Sequence, residues 1–160
     1  AGGHLDDGSG LMRTVDERLV AADADRVFQA ASDVERWPAI LPHYRYVRMI
    51  ERRDAGGVVE MSAHRPFGPL NWPTWWTSEM WVDRARRTVR YRHIRGVTRG
   101  MDVLWELEPR GAQTFVRIVH EWTGPPWPLI SWVAANWVIG PVFVHGIASR
   151  TLAGIARSVE

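Results

Sequence analysis

The chain has 160 residues, 46% hydrophobic and 24% charged, which excludes whole-chain disorder and sets the expectation of one domain with a real core. Cysteine is absent and all 20 basic residues are arginine, so disulfides, thiolate metal sites, cysteine nucleophiles, Schiff-base lysines and P-loop lysines are excluded. A net charge of +2 gives no global field for nucleic acid, while ten tryptophans offer rigid apolar faces suited to a core or a pocket wall.

Residues 1–10 are small and acidic, without the basic-then-apolar order of a secretory signal. They are expected to form a flexible tail ahead of a domain over 11–160, in a protein of the cytoplasm. Residues 11–22 alternate as a strand. Asp23 or Asp25 can cap a short helix through Phe28 and Ala31, and a second short helix follows Ser32-Asp33 and stops near Pro38 and Pro42. Strands over 44–53 and 58–65 flank Asp54-Ala55-Gly56-Gly57, a hairpin connection. Further strands are expected over 72–83, 88–95, 101–108 and 115–123, broken at 84–86, 96–100 and 109–111. Residues 124–149 carry no Asp, Glu, Lys or Arg and exceed the ~20 residues that span a bilayer. Pro125, Pro126, Pro128, Asn136, Gly140, Pro141 and His145 make a poor spanning helix, so this segment is expected to form a buried or pocket-covering pair of helices, with membrane-surface or partner contact left open. From Pro141 an amphipathic period of three to four runs through His145, Leu152, Ala156 and Val159. The sum is an α+β domain: two short helices after the first strand, and a curved antiparallel seven-stranded sheet wrapped around a long C-terminal helix.

The run Ser32-Asp33-Val34-Glu35-Arg36-Trp37-Pro38, continuing to Tyr44, is similar to the S-D-x-x-x-W-P helix pair of START-like polyketide cyclase/dehydrase proteins. Met101-Asp102-Val103-Leu104-Trp105, residues 114–122 and Leu152-Ala153-Gly154-Ile155 resemble that superfamily's later strands and terminal helix. The resemblance covers roughly residues 14–160 and implies a helix-grip fold with a ligand cavity. The superfamily spans aromatase/cyclases, coenzyme Q-binding-like proteins and lipid carriers, so fold alone does not choose among them.

A sheet that grips a helix turns alternate residues into the cavity. Val89, Tyr91, His93 and Arg95 share one such face, Met101, Val103, Trp105 and Leu107 the next, and Val116, Ile118, His120 and Trp122 the last. The 72–83 strand has two phases, Trp75-Thr77-Glu79-Trp81 or Trp72-Trp76-Met80-Val82, and lining up with the family favours the first inward. Glu79 would then be a buried proton-passing carboxyl; the alternative is solvent exposure or pairing with an arginine. His93 and His120 are candidate acids or bases, or pocket histidines that only orient a ligand. Tyr44 falls at a pocket tyrosine of the aromatase/cyclases, where it could protonate or hold a carbonyl, or merely pack. The resemblance also places a family arginine at Trp81 and another at His93, with Arg95 a substitute, which implies a more aromatic and less cationic cavity. His64, His93, His120 and His145 lack zinc-ligand spacing, so neither metal nor cofactor is expected.

Two functions follow. One is a cyclase or dehydratase that folds a polycyclic or aromatic precursor between Trp37, Trp75, Trp81, Trp105 and Trp122, with Tyr44, His93, His120 and Glu79 as acid/base groups. Tyr91, Arg95, Met101 and Ile118 complete that expected binding surface. The other is a carrier of a quinone, lipid or hydrophobic metabolite without chemistry. An acidic acyl carrier protein could use Arg84, Arg86, Arg87, Arg90 and Arg92, which otherwise form a solvated face. The expected state is a monomer or homodimer.

Overall fold

The structure, a computed structural model, describes residues 12–67, 70–96, 98–122 and 141–160. The expected N-terminal tail and most of the uncharged 124–149 segment lie outside these residues. Seven strands are arranged in one antiparallel sheet, β1 (Met12–Val20), β2 (Tyr44–Arg53), β3 (Gly56–Phe67), β4 (Leu70–Asp83), β5 (Thr88–Gly96), β6 (Asp102–Arg110) and β7 (Gln113–Trp122). Their order across the sheet is β1-β7-β6-β5-β4-β3-β2, a meander with β1 returned to the far edge. The return path is α1 (Ala24–Ser32), a 3-10 turn (Val34–Arg36) and α2 (Trp37–Ile40). Asp23 caps α1 by accepting the Arg26 amide at 3.0 Å, which satisfies a donor that the first helical turn leaves free.

Strand β6 runs two residues past its expected end. Gly111, at φ 63°, allows a two-residue turn that pairs Arg110 with Gln113. Pro109 is tolerated because β5 pairs with β6 only as far as Glu106, so its missing amide faces no β5 partner.

The C-terminal helix α3 (Pro141–Val159) packs against β1, β7, α1 and α2 on the concave face. Its buried Val144, Ala148, Leu152, Ile155, Ala156 and Val159 recur at three and four residues, the stripe a helix needs to bury one side. The His145 imidazole also hydrogen-bonds the buried Asp16 carboxylate of β1, whose pKa is raised by burial and partly lowered by that imidazole. Among the described residues no helix is long and apolar enough to cross a membrane.

One irregularity sets the phase of the sheet. Met80 pairs with Tyr91 and Ser78 with His93, yet Thr77 pairs with Arg95, so Ile94 is an extra residue on β5. Gly96 closes this bulge at φ 99°, where a Cβ would lie 2.5 Å from the Trp75 carbonyl oxygen and 2.9 Å from Trp76 Cα. Gly96→Ala should therefore destabilise the fold by about 2 kcal/mol or more, since backbone strain and overpacking act together. Urea unfolding of the variant beside wild type measures it, and equal midpoints would refute this role for Gly96.

Candidate functional site

Rows of inward side chains cross the sheet. Met80, Tyr91, Val103 and His120 form one by successive pairing, and Val89, Trp105 and Ile118 form the next. Between these rows and α3 lies a cavity of about 70 Å³ whose lining includes Trp37, Tyr44, Met61, Trp76, Tyr91, His93, Met101, Trp105, Ile118, His120 and Thr151. Among the described residues no Asp, Glu or Arg belongs to that lining.

The aromatic side of the cavity is continuous. Trp105 lies 5.7 Å from Trp37, Trp37 meets Tyr44 edge-on at 5.3 Å, Tyr44 meets Trp76 edge-on at 6.2 Å, and Trp76 stacks on His93 at 5.7 Å and 5°. Edge-to-face and stacked rings hold one another's orientation as well as burying area. The Trp37 indole N–H donates to the Ala30 carbonyl at 3.1 Å, which anchors α2 to α1. His93 Nδ1 is 2.6 Å from the Thr98 hydroxyl, and the backbone of the β5–β6 turn bonds back to His93, so that ring is fixed from both ends.

Five expected pocket residues lie elsewhere. Trp75 (49% exposed) and Trp81 (42% exposed) are on the outer face of β4, and Glu79 shares that face opposite Arg92. The inward phase is Trp76, Ser78 and Met80, fixed by pairing with His93 and Tyr91. Arg95 is exposed because the Ile94 bulge moves it to the outer face with Thr77. Trp122 is buried but belongs to the core rather than the cavity lining, with its indole N–H donating to the Arg99 carbonyl at 3.1 Å. Trp76 is the residue the favoured phase missed, and only its place in the second alternation could have signalled it. Thr98 and Thr151 carried no signal, since neither shows its partner in sequence.

The buried titratable groups are held neutral at pH 7. Burial, and then the neighbouring His120, lower His93 from its ordinary value of 6.5 to about 3. Burial alone lowers His120 to about 4. The Tyr44 phenol is pushed up by burial, with a partial offset from the neighbouring Thr151 hydroxyl. Tyr91 is also pushed up by burial, and by the proximity of Tyr44. The Tyr91 hydroxyl and His120 Nδ1 are both buried and have no hydrogen-bond partner. Among the described residues no group of three His, Asp or Glu side chains is placed to hold a metal ion.

The family model described as polyketide cyclase / dehydrase and lipid transport matches residues 20–139. Two proteins carrying the name "Putative polyketide cyclase" align over 96 residues, 59% of this chain. The one from Streptomyces halstedii is 31% identical with 86% of its length covered; the one from Streptomyces cyaneus is 29% identical with 62% covered. The Zhui aromatase/cyclase from Streptomyces sp. R1128 superposes with a TM-score of 0.80 at 20% identity, covering 92% of this chain and 93% of that one. At that identity the superposition establishes the helix-grip fold.

A histidine with a folded-state pKa below its unfolded value binds fewer protons folded than unfolded, so stability falls as pH drops below about 6.5. Between pH 7 and 5, His93 should contribute a loss of about 2 kcal/mol. His93→Gln should abolish that share of the pH dependence in urea unfolding, and an unchanged slope would show that His93 does not titrate this way.

Proposed function

The chain belongs to the polyketide cyclase / dehydrase and lipid transport family, and from that premise we propose that it binds a neutral aromatic or polycyclic precursor against the Trp37–Tyr44–Trp76 wall and promotes its cyclisation or dehydration. The observation that carries this reading is the pair of orphaned polar atoms, Tyr91 Oη and His120 Nδ1, in a largely apolar cavity that Tyr44 also lines. An unsatisfied buried group costs ~1–3 kcal/mol, which a ligand oxygen or hydroxyl placed there would recover. A lining without charged side chains favours a neutral substrate, because a buried unpaired charge would be costly.

Tyr44, kept protonated, is the proton donor to a developing alkoxide or a departing hydroxide. Neutral His120 can accept a proton through Nδ1, and His93, held by Thr98, presents a fixed ring to the substrate. The cavity volume is below the ~300 Å³ of ordinary ligand sites, so binding requires the lining to yield. Met61 and Met101, unbranched and adaptable, are the side chains suited to doing so.

Carriage of a quinone, lipid or other hydrophobic metabolite without chemistry is the second reading, supported by the same uncharged lining and by the transport members of the family. Delivery by an acidic acyl carrier protein would use Arg84 and Arg90, because Arg86, Arg87 and Arg92 already pair with Asp83, Asp25 and Asp102.

Tyr44→Phe, His93→Gln and His120→Gln separate the two readings. With a linear poly-β-ketone, a cyclase should lose ~10²–10⁴-fold in turnover in at least one variant, the usual contribution of a positioned acid or base. Affinity, followed by tryptophan fluorescence, should change by only about 1 kcal/mol. Full turnover in all three variants would rule these groups out as catalysts, and binding without turnover in wild type would favour the carrier.

A further inference from the structure

Tyr44 is buried, so a phenol that gives up a proton in the cavity must be reprotonated from somewhere. The structure places a polar chain behind it. His43 Nε2 is 3.0 Å from Thr151 Oγ1, and Thr151 shares the cavity lining with Tyr44, whose phenol pKa it lowers as a polar neighbour. Thr151 is fully buried and lines the cavity on α3, while His43 is only half-buried and lies at the outer end. The two rings, His43 and Tyr44, lie 4.8 Å apart, so the three side chains form one packed unit between β2 and α3.

We propose that His43 and Thr151 form a proton relay from solvent to the Tyr44 hydroxyl. Its use in turnover rests on the cyclisation or dehydration proposed above, whereas its existence does not. In one passage Tyr44 gives its proton to the substrate oxygen, and the Thr151 hydroxyl proton moves to the Tyr44 oxygen. The His43 Nε2 proton moves to Thr151, and water protonates His43 Nδ1. One proton enters and one leaves, and the imidazole changes tautomer. At rest the Thr151 hydroxyl donates to the Ile147 carbonyl at 2.8 Å, so the transfer requires this hydroxyl to rotate toward Tyr44.

The surroundings of His43 fit a carrier of protons rather than a store. Arg150 and Arg157 face it from α3, the Tyr44 ring packs against it from β2 at a tilt of 59°, and the His64 amide of β3 donates to its backbone carbonyl at 2.7 Å. Burial, then the two arginines, lower its pKa to about 4, so the ring is neutral at pH 7 and free to take a proton on one nitrogen as it releases one from the other.

The chain has three tyrosines, Tyr44, Tyr46 and Tyr91, so hydroxyl exchange can be read residue by residue. Tyrosine labelled with ¹³C at Cζ, in equal H₂O and D₂O, reports exchange through the isotope shift on that carbon. Tyr91 is the internal control, buried in the same cavity with its hydroxyl unpartnered. Thr151→Val keeps the shape and removes the hydroxyl; it should slow exchange at Tyr44 by on the order of 10²-fold, the lower end of a positioned proton-transfer group's contribution, and leave Tyr91 unchanged. Thr151→Ser should restore wild-type exchange. His43→Gln can still donate to Thr151 but cannot pass a proton, so it too should slow Tyr44 alone.

Unaltered Tyr44 exchange in either Thr151→Val or His43→Gln would overturn the relay. So would faster exchange at Tyr44 and Tyr91 together, which is the sign of a loosened fold. Slowed exchange in variants that keep full turnover on a linear poly-β-ketone would leave the relay standing and remove its assigned chemistry.

Discussion

The stacking of Trp76 on His93, across the bulged pairing of β4 and β5, is the contact on which the cavity depends. Ile94 is the added residue, and it lets β5 carry His93 inward and still return Gly96 opposite Trp76. Without that step the strand would present Arg95 to the helix, and a guanidinium would have to be desolvated there. With it, the arginine stays in water and the concave face stays aromatic.

The electrostatics of the cavity follow from this arrangement. Desolvation is the largest influence on His93, His120, Tyr44 and Tyr91, and each is pushed toward its neutral form. A site of this kind cannot hold a developing charge with a fixed cation. It has hydroxyls and imidazoles instead, which move protons or donate hydrogen bonds without carrying net charge at rest. Tyr91 Oη and His120 Nδ1 are buried there without hydrogen-bond partners, a cost that a ligand bearing a complementary polar group would remove.

The position of Tyr44 joins the two halves of the molecule. It begins β2 directly after α2, packs against Trp37 of that helix, and lines the cavity together with Thr151 of α3. Gly154, one turn further along α3, has no Cβ where Leu41 Cδ2 packs against the helix, so the end of α2 can approach closely. The same approach brings His43 within hydrogen-bonding distance of Thr151. Helix docking and polar connectivity are thus set by one close contact.

The sequence by itself determined the elements and their order. Alternation in β5, β6 and β7, an aspartate cap at Asp23 or Asp25, the glycine-containing turns and the helical stripe after Pro141 are local signals, and the structure follows them with Asp23 as the cap. Alternation also placed Tyr91, His93, Met101, Trp105, Ile118 and His120 on the inner face, and Tyr44 was placed there by its resemblance to a family pocket tyrosine. Strand β4 lacked such a signal: both of its alternations carry tryptophans, so its phase was decided by pairing with β5 and not by its own composition. Arg95 was misplaced for a related reason, since a bulge is a relation between two strands and leaves no mark in one. Trp122 faces inward as its alternation implies, but the distance between sheet and helix decides that it fills core and not cavity. His43 and Thr151 meet only because α3 docks on the start of β2, a contact across 108 residues that local patterning cannot encode.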